Sequence, residues 1–426
     1  MTTLIITIFI LGYIAIATEH KIKINKAASA LITGVLCWTV YILYAPDKLL
    51  VGEELTQHMG ELSGILFFLL GAMTIVELID AHDGFDIITT RIDQTDRRKL
   101  LWIVAFITFF LSAILDNLTT TIVIISLLRK LIRDDKDRLF FAGIVVVPAN
   151  AGGAWSPIGD VSTTMLWIGG QITASNIIIK LILPSLICLI VPLVYLSFKL
   201  KGKIERPLLE TNTTQSLSQK QQSIVFFSGV IILILVPVFK TVTHLPPFMG
   251  ILIGLGILWV ITEIIHSGKN DEDKHILSVV HALRKIDAPS ILFFLGILVS
   301  VAALQSIGTL SEVAQWLTAK IHNENIIVIS IGLLSAIIDN VPLVAAVQGM
   351  YDLNQYPPDN YFWEFLAYAA GTGGSALIIG SAAGVAAMGM EKISFFWYLK
   401  TISLLALLGY FAGAIMYILQ HQFLGL

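Results

Sequence analysis

Charge is what this chain has least of. Asp, Glu, Lys and Arg make up 13% of its 426 residues, about half of the ~25% usual in soluble domains. A surface that poor in charge excludes a soluble globular protein. Cysteine is scarce too. The two present, Cys37 and Cys188, sit inside apolar runs, which excludes a disulfide framework and a cysteine metal site. The opening stretch MTTLIITIFILGYIAIATEH has no basic leader and no small-residue cleavage site, so a retained first helix is expected rather than a signal peptide. His-Glu-x-x-His, Gly-x-Ser-x-Gly and a phosphate loop are all missing, so a membrane-embedded enzyme has no motif to stand on.

What is there is apolar. Hydrophobic residues reach 56%, and many runs approach the ~20 residues needed to cross a bilayer as a helix. The expected fold is an all-α polytopic membrane protein. Apolar runs lie near 2–18, 27–45, 62–80, 101–128, 139–168, 174–198, 222–243, 247–265, 288–307, 325–350, 361–390 and 395–420. The longest polar connector, 199–221, separates six runs from six.

The halves repeat each other. ILFFL at 65–69 returns at 291–295, and SAILDN at 112–117 returns as SAIIDN at 335–340. Gly152-Gly153 followed by Gly159 returns as Gly373-Gly374 followed by Gly380. The offsets of 226, 223 and 221 are close enough to constant to mark an internal repeat. Residues 1–198 are then a first repeat and 222–426 a second. Within them 1–100 and 222–287 read as scaffold helices, 101–198 and 288–426 as transport parts.

Positive charge sets the topology. If the runs 101–128 and 325–350 are re-entrant hairpins, the segments 19–26, 80–99, 129–138, 199–221, 267–287 and 391–400 share one side. They hold 23 of the 27 Lys and Arg residues. That side is the cytoplasm, both termini face the external or periplasmic side of the cell (inner) membrane, and each half has five crossings plus one hairpin. An odd number of crossings inverts the second half, giving inverted-topology repeats.

Asp116 is the only charge between 101 and 128, and Asp339 is its copy. A charge at the bilayer centre costs ~2.5–3.5 kcal/mol on insertion scales. No Lys, Arg or His lies close to either acid in its own apolar stretch. A proton or a bound cation remains to neutralise them, and a site that holds either one is an exchanger. Asn117, Thr119 and Thr120 offer oxygen ligands at the first tip, Ser335 and Asn340 at the second, a donor set suited to a hard cation. After each hairpin comes a broken helix. The first, VPANAGGAWSPIGDVSTTMLW at 147–167, carries Asp160; the second, at 369–390, carries Ser375 and Ser381 but no acid.

Bland readings compete. One intramembrane acid can be a helix cap, and glycine pairs are often close-packing points; recurrence in both halves favours function. Glu77, Asn150, Ser156, Ser162, Thr163, Thr164, Ser375 and Ser381 are candidates for a proton path or for support. Asp80 reads as interfacial, and the nine histidines, all near loops or run ends, read as solvated.

The phrase DNLTTT, the stretch PANAGGAWSPIGDVSTTMLW and the run GAMTIVELID closely resemble the NhaD family of sodium/proton antiporters, part of the ion transporter superfamily. That resemblance implies a homodimer with an elevator-like transport domain. It implies sodium ligands around Ser112, Asp116, Asn117, Thr120 and Gly159, and around Ser335, Asp339, Asn340 and Gly380. The implied activity is exchange of Na⁺ or Li⁺ for H⁺, with no cofactor and no nucleic-acid partner. The alternative is a sodium-coupled dicarboxylate or other anion symporter of the same superfamily. Its tips carry Ser-Asn-Thr where this chain has Asp-Asn, and two carboxylates would repel an anion.

Overall fold

The computed structural model describes residues 1–89, 92–206, 218–267 and 277–424. The first half contributes α1 (Thr2–Ala17), α2 (Glu19–Ile22), α3 (Lys26–Tyr44), α4 (Lys48–Ala81), α5 (Asp86–Thr89), α6 (Arg97–Leu115), α7 (Asn117–Leu131), α8 (Asp135–Ala154), α9 (Val161–Ile168) and α10 (Ala174–Lys199). The second contributes α11 (Gln219–Thr243), α12 (Pro247–His266), α13 (Val279–Lys285), α14 (Ala288–Ser306), α15 (Thr309–Lys320), α16 (Glu324–Leu334), α17 (Asn340–Met350), α18 (Tyr361–Gly373), α19 (Ala382–Glu391), α20 (Phe395–Thr401) and α21 (Ser403–Leu424). Among the described residues there is no strand beyond a single bridge, Asp96 to Lys203. The middle of the polar connector, 207–217, lies outside the described residues, as does 268–276 of another polar segment.

Among the described residues, eight helices are long and apolar enough to cross a membrane: α3, α4, α6, α10, α11, α12, α14 and α21. The chain is a multi-pass membrane protein. Helices suit that setting because each backbone N–H and C=O is satisfied within its own segment. Two details differ from the apolar runs. α4 starts at Lys48, capped by the Asp47 carboxylate, so a polar stretch extends the third run by several turns. The last run divides at Ile402 into α20 and α21.

Shifting the chain by the 223 residues between the two Asp-Asn pairs lays α1 on α11, α3 on α12, α4 on α14, α6 on α16 and α7 on α17. The same shift lays α8 on α18, α9 on α19 and α10 on α21. The packing follows the same correspondence. α3 lies on α14 as α4 lies on α12; α6 lies on α8 as α16 lies on α18; α7 packs against α19 as α17 packs against α9. Each tip therefore leans on the broken helix of the opposite half.

One end of the bundle gathers the basic segments. Arg97 pairs with Asp137 at 2.5 Å, Arg129 and Arg138 both reach Glu391 at 2.6 and 2.9 Å, and Lys130 reaches Asp86 at 2.6 Å. Arg98 donates to the Leu200 carbonyl, and Lys285 approaches Glu77 at 3.7 Å. Of the six segments assigned to one face from their charge, 80–99, 129–138, 199–221 and 391–400 thus touch one another.

Candidate ion-binding site

The site begins at two interrupted helices. α6 ends at Leu115 and α7 starts at Asn117, so Asp116 terminates one and caps the other. Its φ of 84° and ψ of 161° fall where glycine alone is at ease. The carboxylate offsets part of that cost by accepting from Thr119 N–H and Thr119 Oγ1, each at 2.8 Å. The second copy is held differently. Pro342 stands at the position of Thr119, with neither N–H nor hydroxyl. Among the described residues, the Asp339 carboxylate accepts one hydrogen bond, from the Val341 N–H at 3.3 Å, and the Lys26 Nζ lies 3.8 Å from its Oδ2.

Successive helical residues point about 100° apart. With each aspartate turned to the cap, the asparagine after it turns inward. Asn117 and Asn340 are both buried. Asn117 Nδ2 donates to Asp160 Oδ2 at 2.5 Å and to Asn150 Oδ1 at 3.1 Å. Asn340 Nδ2 lies 3.1 Å from both Asp160 oxygens.

Asp160 occupies the gap between α8 and α9 and is 1% exposed. It caps α9, accepting from Ser162 N–H at 2.8 Å and from the Ser162 hydroxyl. Asn150, on the last turn of α8, donates from Nδ2 to Ser375 Oγ and Ser381 Oγ at 2.9 Å each. Ser381 in turn caps α19. One carboxylate, three amides and three hydroxyls, drawn from both halves, form one buried network. Four helices start at it, α7, α9, α17 and α19, and helix N-termini favour negative charge.

Two glycines allow the approach. A Cβ at Gly159 would lie 2.6 Å from the Ser112 carbonyl, and one at Gly380 would lie 2.5 Å from the Ala336 carbonyl. The hydroxyls nearby act as staples. Ser112 donates to Ala149 O at 2.5 Å, Ser335 to Ala370 O at 2.9 Å, Ser156 to Ala113 O at 2.5 Å, and Thr164 to Pro157 O at 2.9 Å. The three serines tie tip to broken helix, Thr164 closes the break itself, and all four leave their oxygens turned to backbone. Thr120 Oγ1 and Thr163 Oγ1 differ: both are buried with no hydrogen-bond partner among the described residues. Each lies three positions, about one helical turn, after a network residue, Asn117 and Asp160.

Residues 13–365 match the family described as citrate transporter, CitMHS. The chain belongs to that family. Among the proteins similar to this CitMHS member, "Sodium/proton antiporter 2" of Arabidopsis thaliana is 47% identical over 98% of this chain and 99% of its own length. "Sodium/proton antiporter 1" of the same plant is 49% identical over 97% of this chain and 72% of its own. The "Na(+)/H(+) antiporter NhaD" of Vibrio cholerae is 30% identical over 97% and 91%. The kinship with NhaD antiporters that DNLTTT implied is therefore present. The solved YdaH transporter of Alcanivorax borkumensis shares the fold, with a TM-score of 0.56 at 12% identity over 89% of this chain and 90% of that one.

Two expectations are corrected in this CitMHS fold. Asp116 and Asp339 were expected to be free of basic partners, but the Lys26 ammonium lies 3.8 Å from Asp339. Within the buried hydrogen-bond network the carboxylate at the middle is that of Asp160, because the cap geometry turns each tip aspartate aside. Glu77, a candidate for a proton path or for support, approaches Lys285 at 3.7 Å at the charged end of the bundle. Two histidines are not solvated: His82 and His266 are buried where the last turns of α4 and α12 meet, with Nε2 atoms 2.8 Å apart and rings stacked at 5.1 Å. Sequence reasoning also missed Glu364, buried on α18, which accepts from Tyr417 OH at 2.9 Å and from Asn176 Nδ2. A lone acid within the apolar run 361–390 was the available signal.

Proposed function

We propose that this chain is a secondary antiporter that extrudes sodium or lithium from the cytoplasm in exchange for protons. One observation carries the reading: a buried carboxylate, Asp160, is held by the asparagines of both tips, and among the described residues no basic side chain bonds to it. In the arrangement seen, amide donors balance the anion. Turning the Asn117 and Asn340 amides about their last torsion would present oxygens in place of N–H groups. The unpartnered Thr120 and Thr163 hydroxyls add two more oxygen donors of the kind a small hard cation takes. A proton on the carboxylate removes the charge that draws the cation. Competition for Asp160, with Asp116 and Asp339 close by, couples the two flows.

The names of the plant and bacterial relatives support the same exchange. The helix interrupted at Asp116, with α6 and α7 packed together, supports a re-entrant hairpin, and the repeat correspondence supports two inverted halves. In this reading α7–α9 and α17–α19 ride with the moving part of an elevator, and α1, α3, α4, α11 and α12 form the scaffold of a homodimer. The packing of α14 on α3 and α4 supports counting α14 with that scaffold as well, so that it would run to 306 in the second half rather than to 287. Both termini lie outside.

The family description favours a second reading, anion symport. A pocket built on a carboxylate with no cation at hand argues against it. Dissipation of a pH gradient in everted vesicles separates the two. Na⁺ and Li⁺ are expected to collapse the gradient; K⁺, citrate and a dicarboxylate are not. Asp160→Asn is expected to abolish the sodium response with the protein still folded, and an unimpaired response would sink the assignment. Asp116→Asn is expected to do the same.

A further inference from the structure

We propose that Lys26 is a detachable counter-ion for Asp339, a positioning residue that holds the second tip to the scaffold only while that tip is unloaded. The proposal rests on the antiport reading above and deepens it. Lys26 opens α3, and its backbone N–H donates to the Glu19 carboxylate at 3.2 Å. Its ammonium lies 3.8 Å from Asp339 Oδ2 and 4.3 Å over the ring of Phe293 on α14. The Lys26 and Asp339 side chains are 29% and 22% exposed, so the pair is neither sealed in nor fully screened.

The two tips solve one problem in two ways. The Asp116 carboxylate is held by Thr119, which belongs to the same tip and travels with it. Pro342 denies Asp339 that holder. Lys26 takes the place, and it stands on α3, a helix of the other half. The position equivalent to Lys26 in the second half is Met249, which carries no charge to offer Asp116. A holder on a separate body must let go whenever the tip moves against that body. A sodium ion or proton at Asp339 makes the ammonium redundant and, for sodium, repels it. The unloaded, charged tip stays tied; the loaded tip is released. That ordering suppresses movement of an empty carrier, which strict exchange requires.

Two consequences can be measured on the full chain in proteoliposomes with a sodium tracer and a pH probe. Removing an ammonium that competes with sodium should lower the KM for Na⁺ several-fold in Lys26→Met. It should also open a downhill sodium flux not matched by protons. Lys26→Arg should restore tight coupling, which a purely structural role for the lysine stem would not require. Lys26→Gln takes the place of Lys26→Met if the latter does not purify as a folded protein. Wild-type KM together with strict coupling in the neutral variant overturns the latch. Asp339→Asn in the same vesicles separates the levels. Unimpaired exchange there brings down the role of Asp339 itself, whereas impaired exchange beside a wild-type Lys26→Met brings down only the latch.

Discussion

Replacing Asp116 by glycine should leave a more stable protein than replacing it by alanine. At φ 84° and ψ 161° a residue with a Cβ carries backbone strain, about 1–3 kcal/mol. The side chain repays part of it as the cap of α7. Loss of such a cap costs about 1 kcal/mol on going to alanine and a few tenths on going to glycine. Alanine keeps the strain and loses the cap, so it should be about 1 kcal/mol less stable than wild type. Glycine recovers about 1–3 kcal/mol of strain. It gives back about 0.5–1 kcal/mol through the extra freedom of its unfolded chain. The net is neutral to about 2 kcal/mol more stable, with glycine above alanine in every combination of these ranges that leaves the strain above 1 kcal/mol. Thermal melting of the detergent-purified variants reads the order. A glycine variant that melts at or below the alanine variant refutes the strain argument. The same pair tests function independently of folding: both should lose sodium-driven proton movement, and a stable glycine variant with full exchange would reduce Asp116 to a cap.

At Gly159, alanine would place its Cβ 2.6 Å from the Ser112 carbonyl; the overpacking should cost about 1–3 kcal/mol, read as a lower melting temperature, with Gly380→Ala behaving alike. Asn150→Ala removes the bridge to Ser375 and Ser381 and should cost about 1 kcal/mol for each of these bonds, with a raised KM for Na⁺; unchanged melting and unchanged KM would remove Asn150 from the network. Asp96 caps α6, and the N–H groups of Lys99 and Arg98 hold its carboxyl below the usual carboxylate range. A depressed value stabilises the fold above the ordinary pKa and stops doing so as pH falls through the lowered one. Wild type and Asp96→Asn should therefore differ at neutral pH and converge in acid; parallel pH curves would contradict this.

The repeat was legible because it is written in residues that backbone geometry constrains: the Asp-Asn pair that starts a helix and the glycines that let one chain lie against another. Those positions have few substitutes, so both copies still spell them alike. Which atom faces the centre was less legible. Two adjacent polar residues at a helix start point in directions about 100° apart, and composition alone gives the more expensive one, the aspartate, the greater weight. Yet the cap claims the aspartate and frees the asparagine. Lys26 was hidden for a different reason. It is more than 300 residues from Asp339 in sequence and counts as one more basic residue in a charged segment; only packing shows where its ammonium goes. The buried His82–His266 pair was hidden likewise, since each residue alone looks like an ordinary helix terminus.

The repeat correspondence sets Asp160 opposite Ser381 and Asn150 opposite Gly371. A strictly symmetric centre would place a second carboxylate at 381, joined to the first through Asn150 and Asn117. Like charges brought together in a buried site cannot both stay ionised, and one would retain its proton across the working pH range. Such a centre would bind a monovalent cation no better and would lose a proton-exchanging group. Replacing one acid by a hydroxyl and one glycine by an amide leaves Asp160 as the one carboxylate inside the buried amide and hydroxyl network, with Asp116 and Asp339 at its edge as helix caps. The remaining polar atoms turn into adjustable donors and acceptors. Divergence between the halves at these two positions suits the proposed contest between a metal ion and a proton. Ser381→Asp should accordingly weaken exchange rather than strengthen it, and a variant that exchanges sodium faster than wild type would show that symmetry was no obstacle.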